Sequence, residues 1–280
     1  MTTKSKGEST RQKLTILSSK MGVKYSNIET AFLIERLISR LMNDKKLSNH
    51  LVFKGGFVGL RVYESPRYTI DLDALLLKAN IETTLELVKK KAEYDIDDGV
   101  WFKFEDQLEL ATQGEYGGIR QVYRAGIGEV LKNLKKAQVI HFDLGIGDPV
   151  TPGPIKIETP SYLSQVENIS WSVYPIETII AEKLHALISH GNQNSRSKDI
   201  HDLAIFLPKA NFKVLREALK RCFDFRETDL PESFLSSLKQ LNTARLEKGW
   251  ASAISSIPNT TTFKSSFEAM IKLIEKFESD

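Results

Sequence analysis

Cysteine is nearly missing: Cys222 is the one cysteine in 280 residues. No internal disulfide can form, and without a Cys-x-x-Cys pair or a Cys/His cluster nothing points to zinc. No run of about eighteen apolar residues occurs, which argues against a membrane-spanning helix. The opening MTTKSKGESTRQK lacks the apolar centre of a signal peptide. No repeat or low-complexity tract stands out. Neither sign of charge dominates: a net charge of +3 and a pI near 8.7 argue only mildly for a polyanionic partner. Lys89-Lys90-Lys91 and the cluster Lys132, Lys135, Lys136 suit phosphates and solvated faces equally well. Aromatic and basic residues do not interleave as they do in single-strand binders. The expectation is a soluble, cytoplasmic protein with no membrane association, with Cys222 packed as a small hydrophobe on a helix.

What is present is enough to build a core. With 41% hydrophobic and 27% charged residues, the chain is long enough for two lobes. Ser26 and Glu29 form a capping-box pattern ahead of the stripe Ile34, Leu37, Ile38, Leu41, Met42, which predicts a helix with a core face. Between about Asn49 and Thr159 the pattern turns to short strands: Leu51 to Phe53, Thr69 to Leu77, Val100 to Leu110, Ile119 to Ala125, Ala137 to Leu144 and Ile155 to Glu158. A helix, Ile81 to Ala92, falls among them. The connections are too short for repeated parallel crossovers, so a mixed sheet with helices on one side is expected. Beyond Pro175 nearly everything reads as helix, ending with Phe263, Phe267, Met270, Ile271, Ile274 and Phe277 at helical spacing. The fold class is therefore α+β: a lobe over residues 1–165 with leading helices, and a helical lobe over 166–280, divided between about Pro160 and Pro175.

The stretch Lys54-Gly55-Gly56 and, fifteen residues after Gly56, Asp71-Leu72-Asp73 carry the most chemical information. Val52 and Phe53 end a buried strand, the glycines give a turn free of side chains, and Phe57 to Tyr63 suits a short helix. Backbone N–H groups at such a turn can hold phosphate oxygens. In a strand, Asp71 and Asp73 point the same way with backbones about 7 Å apart, and carboxylate oxygens are the preferred ligands of Mg²⁺. Either feature alone is common: Gly-Gly often marks an ordinary turn, and paired aspartates occur by chance on edge strands. Here apolar neighbours bury the strand, and buried carboxylates require a cation or a set of donors.

The block KGGFVGLRVYESPRYTIDLDALL resembles the nucleotidyltransferase signature of the AbiEii/AbiGii abortive-infection toxin family: K-G-G-T-x-L, an arginine, then T/S-x-D-[LI]-D. The resemblance extends from about Val52 to Leu207. It implies a polymerase-beta-like core, Mg²⁺ (or Mn²⁺), an NTP substrate, and a toxin paired with a cognate antitoxin. For some members it implies nucleotide addition to the 3′ end of tRNA. Phe57 departs from the pattern, standing where many members have Ser or Thr.

A polymerase-like site usually needs a third acidic group. In AQVIHFDLGIGDPV, Val139, His141 and Asp143 share one strand face. Asp143 is the favoured candidate, as metal ligand or general base, and the resemblance supports that strand. Asp148, in the turn before Pro149, is the competing choice. His141 reads as a hydrogen-bonded structural residue in preference to a ligand. Further on, Ile176, Ile179, Ile180, Leu184 and Leu187 define a helix stripe, with Pro175 at the first helical position and Lys183 near the stripe's middle. Its ammonium must meet an anion, such as a triphosphate, or an internal carboxylate, or extend to water. His185 points away from the stripe, toward the surface. AEKLHAL matches a family segment whose lysine contacts phosphates, and NSRSKDIHDLAIFL matches R-x-K-D-x-x-D at Arg196, Lys198, Asp199 and Asp202.

The expected site is thus Asp71, Asp73 and Asp143 for the metal and catalysis, Lys183 and Asp199 as further catalytic groups, and Lys54, Gly55, Gly56, Arg67, Lys183 and Arg196 for the nucleotide. A protein or small-molecule acceptor, or a module that binds nucleotide without turnover, are the alternatives to tRNA modification.

Overall fold

Two short buried segments occupy the middle of the sheet. Strands β1 (Leu51–Lys54) and β2 (Asp71–Leu76) pair antiparallel, from Leu51 opposite Leu76 to Lys54 opposite Asp73. Their apolar residues are buried on both faces, as central strands require. The computed structural model describes residues 3–110, 117–191, 195–257 and 261–280. Among the described residues, β3 (Val100–Leu110), β4 (Gly118–Ile127), β5 (Gln138–Ile146), β6 (Ile155–Thr159) and β7 (Ile169–Val173) complete a seven-stranded sheet in the order β3-β4-β5-β2-β1-β7-β6. β2 runs parallel to β5 and β1 to β7, and the other neighbours are antiparallel. The sheet is mixed and the class α+β, as read from the sequence. Each anticipated strand lies within two residues of its expected limits. Strand β7 is an addition. Ile169, Trp171 and Val173 alternate correctly, but five residues beside Pro175 give a weak local signal, and pairing of Val173 with Phe53 and Trp171 with Ile157 fixes them.

Helices α1 (Thr3–Met21), α2 (Tyr25–Met42), α3 (Lys45–His50), α4 (Gly55–Arg61) and α5 (Ile81–Ala92) accompany the sheet. In α2, Ile34, Leu37, Ile38 and Leu41 are fully buried, as the stripe requires. The expected Ser26/Glu29 capping box does not form. Lys24 is the N-cap without a side-chain bond, and Glu29 instead accepts from the Tyr25 hydroxyl and from Gln138. Two caps do form among these five helices: Asp44 accepts from the N–H groups of Lys46 and Leu47 at α3, and Asn80 from Thr83 at α5. Helix α2 also buries charge. Arg40 donates to both oxygens of Asp98 at 2.8 Å, and Arg36 donates to Asp98 at 2.8 Å. Burial raises the Asp98 carboxyl, but the two guanidinium groups hold it below its ordinary range.

The chain divides into two units: Met1–Val62, Tyr68–Gly147 and Ile155–Val173 form the first, and Tyr63–Arg67, Asp148–Pro154 and Tyr174–Asp280 the second. The second consists mainly of helices α6 (Ile176–Ser189), α7 (Ser197–Phe206), α8 (Phe212–Phe225), α9 (Phe234–Lys239), α10 (Thr243–Lys248), α11 (Trp250–Ala253) and α12 (Phe263–Ser279). Within it α6 packs on α7 and α8, and α12 on α7 and α9. The α12 stripe is buried at Phe263, Met270, Ile274 and Phe277, and Cys222 is buried on α8. Pro175 is the N-cap of α6, one position before the expected one. His185 is not at the surface. It lies edge-on to Phe223 with ring centroids 4.8 Å apart, and burial, then Arg226, pushes its pKa down to about 4. A helix face opposite one stripe is buried when a second helix, here α8, packs against it.

Candidate active site

Alternation along β2 leaves Asp71 and Asp73 half-exposed on one face, with Leu72 between them fully buried. The register assembles a charged row across four strands: Lys54 of β1 stands opposite Asp73 of β2, Asp73 opposite Asp143 of β5, and Asp143 opposite Arg120 of β4. One pleat along, Asp71 stands opposite His141. The glycine turn is tied to this row. Gly55 opens α4 at φ +73°, a conformation that L side chains rarely adopt, and a Cβ there would lie 2.0 Å from Asp73 Oδ2. Glycine is therefore required both by the backbone and by the space the Asp73 carboxylate fills.

Asp143 is held by Arg120. Its oxygens accept from Arg120 Nε at 2.7 Å and Nη2 at 2.6 Å, a bidentate fork, and Nη2 also reaches Asp71 Oδ1 at 3.4 Å. The hydrogen bond to Asp143 raises the Arg120 pKa further, keeping the guanidinium charged. His141 Nδ1 lies 2.8 Å from Asp71 Oδ1, a hydrogen-bonded role of the kind its sequence context suggested. Arg120 escaped the sequence reading. Alternation places it on a face with Val122 and Arg124, but only the pairing of β4 with β5 sets it opposite Asp143. Asp148 belongs to the second unit, where it accepts from Arg226 at 3.2 Å. Phe57 is fully buried, edge-on to Trp171; its replacement of a Ser or Thr makes it a core residue.

The donor set suits a hard divalent cation. Asp71 and Asp73 offer carboxylate oxygens on one solvent-reaching face, and a guanidinium already acts as cation for two of the three carboxylates. Among the described residues, however, no three His, Cys, Asp or Glu side chains converge closely enough to hold a metal. The pair Asp71 and Asp73 fits as the core of such a site, with Asp143 directed to Arg120.

The second unit contains its own ionic cluster. Lys183 Nζ on α6 donates to Asp199 Oδ1 at 2.6 Å and to Asp202 Oδ2 at 2.8 Å, both on α7. Arg67 forks onto Asp202 at 3.0 and 2.7 Å, and Arg196 donates to Asp199 at 2.5 Å. The two aspartates are essentially inaccessible, at 0% and 1% exposure. Burial raises both carboxyls, but Lys183 with Arg196 at Asp199, and Lys183 with Arg67 at Asp202, drive them below the ordinary range, Asp202 well below it. Burial opposes the Lys183 charge, and Asp199 and Asp202 overcome it, so its pKa is raised. Lys183 thus meets internal carboxylates from its place in the apolar stripe. Arg196, with 37% of its side chain exposed, is the cation of this cluster that reaches solvent most.

The α+β fold has counterparts among solved structures. It is similar to JHP933 from Helicobacter pylori, with a TM-score of 0.55 and 17% identity over 92% of this chain and 94% of that one. It is also similar to a second H. pylori protein, provisionally assigned as a nucleotidyltransferase, with a TM-score of 0.53 and 18% identity over 88% and 92%. At such identities the likeness speaks for the fold. Residues 36–272 match the family of the nucleotidyl transferase AbiEii toxin of type IV toxin–antitoxin systems. The chain belongs to that family and is a nucleotidyltransferase. No curated protein matches it. No described helix is long and apolar enough to cross a membrane.

Proposed function

We propose that this nucleotidyltransferase moves NMP from an NTP to the 3′-terminal hydroxyl of tRNA in the cytoplasm, as a toxin restrained by a cognate antitoxin. The observation that carries the reading is the row Lys54, Asp73, Asp143, Arg120, with Asp73 packed against Gly55. Mg²⁺ or Mn²⁺ would be held by Asp71 and Asp73, joined by Asp143 when Arg120 yields it. Such a cation, when bound, offsets the charge of the triphosphate and of the departing pyrophosphate. The acceptor oxygen forms a bond to the α-phosphorus as the bond from that phosphorus to the bridging oxygen of the β-phosphate breaks. Pyrophosphate leaves, and the hydroxyl proton passes to Asp143 or to water. Both oxygens of Asp143 accept from Arg120, so Asp143 can take the proton only when that fork opens.

The α4 start at Gly55 and Gly56, with Lys54 before it, presents backbone N–H groups and a positive charge to phosphate. In the second unit, Lys183, Arg67 and Arg196 face the carboxylates of Asp199 and Asp202. A phosphate role for Lys183 would use the third of its three N–H donors, the other two being given to Asp199 and Asp202. Arg196 has the more accessible charge, and Asp199 fixes both cations in place.

Incubation with each α-labelled NTP, Mg²⁺ and total tRNA, beside Asp71→Ala, tests the reading. Label is expected in the RNA fraction and absent with the variant. Label in protein or in the small-molecule fraction would replace tRNA by another acceptor, and undiminished transfer by a folded Asp71→Ala protein would remove the site assignment.

A further inference from the structure

Arg120 matches none of the motifs that led to the site, yet it contacts two of the site's carboxylates. Its fork takes both oxygens of Asp143 on β5, and the same Nη2 reaches Asp71 on β2, so one guanidinium links carboxylates from two strands. Between those strands Asp73 stands in register with Asp143, and the face thus gathers three carboxylates. An ordinary cross-strand ion pair would join one acid to one base. Here the base answers a local excess of negative charge, the kind of excess that draws a divalent cation. Exposure of the participating side chains, 26% for Arg120, 14% for Asp143 and 34% for Asp71, leaves the contacts open to exchange with solvent ions.

We propose that Arg120 is the resident counter-cation of this cluster: a positioning residue that keeps Asp143 and Asp71 assembled without metal, and that a divalent cation must displace to engage Asp143. The inference rests on Asp71 and Asp73 being cation ligands, and it adds a competitor built into the chain. Two cations repel at such separations and draw on the same oxygen lone pairs, so the guanidinium sets the concentration of metal at which the site fills. The fork also explains why Asp143 stays in place on a partly exposed face: without Arg120, Asp143 and Asp71 would lose the cation they share.

Mn²⁺ titration of the full chain, followed by the electron paramagnetic resonance signal of the free ion, reads this without reference to turnover. The wild-type protein is expected to bind Mn²⁺ and Asp71→Ala to lose that binding. Arg120→Gln should bind Mn²⁺ about tenfold more tightly than wild type, and Arg120→Met, the second neutral variant should the first not fold, should do the same. Arg120→Lys keeps the charge and should stay within about threefold of wild type. The melting temperature of metal-free Arg120→Gln should fall, and Mn²⁺ should raise it by more than it raises that of wild type. A folded neutral variant that binds Mn²⁺ no more tightly than wild type overturns the competition while leaving the Asp71 and Asp73 assignment intact. Wild-type binding that is absent, or that survives Asp71→Ala, overturns the assignment and the inference together.

Discussion

The two ionic clusters use nearly the same parts in different surroundings. Asp71, Asp73, Asp143 and Arg120 lie partly exposed on a sheet face. Lys183, Asp199 and Asp202 lie between helices where the carboxylates see no solvent. Partly exposed ion pairs contribute little to stability and exchange partners readily, whereas a buried charge deprived of its partner is strongly destabilising. The same motif chemistry therefore gives an exchangeable site in the first unit and a tightly bonded one in the second, and the two should fail differently.

Removing Asp71 breaks the first cluster at a carboxylate with 34% of its side chain exposed. Asp71→Ala should lower transfer by about a thousandfold or more while shifting unfolding free energy by less than about 1 kcal/mol. Steady-state transfer and urea unfolding on one preparation check this, and a large stability loss would erase the contrast. Asp202→Ala removes a partner shared by Lys183 and Arg67 and should cost about 3–5 kcal/mol in urea unfolding; a loss below about 1 kcal/mol would mean that this cluster exchanges as freely as the other. Gly55→Ala forces a side chain onto a positive φ and against Asp73. It should destabilise by about 1–3 kcal/mol and reduce transfer through the displaced carboxylate. Transfer at the wild-type rate would show that the contact tolerates displacement.

The smallest effect concerns acid. Burial raises the carboxyls of Asp199 and Asp202, but the surrounding cations hold them below their unfolded-state values. Their stabilising contribution is therefore complete above the unfolded pKa of about 3.9 and is lost as pH falls through the lower folded values. Unfolding free energy measured from about pH 5 to about pH 2 should decline more steeply for wild type than for Asp202→Asn. Parallel profiles would locate the acid sensitivity elsewhere, with the buried Asp98 as the next carboxylate to examine.

Much of this contrast was legible in the sequence, and its limits are physical. Period-two alternation put Asp71 and Asp73 on one face and Asp143 with His141, because alternation is local. It could not place Arg120 opposite Asp143, because register between β4 and β5 is settled by pairing along the whole of both strands. Helical spacing put Lys183 inside an apolar stripe, which demanded an anion, but the choice between a substrate and Asp199 with Asp202 depends on how α7 lies against α6. The Ser26 and Glu29 pattern failed because α2 already begins at Tyr25, which places Ser26 inside the first turn and not at the cap. β7 went unseen because a five-residue strand is specified more by its neighbours than by itself.

The contact between Gly55 and Asp73 bears on how lesions in this chain would be read by genetics. A selection for harmless variants would recover codon 55 often, since any replacement there adds a side chain, and the obvious diagnosis would be a damaged phosphate turn. The geometry adds a second defect to the strained turn: the neighbouring carboxylate, pushed aside though still encoded. Alleles at positions 55 and 73 should accordingly share one phenotype, and combining them should add little to either alone.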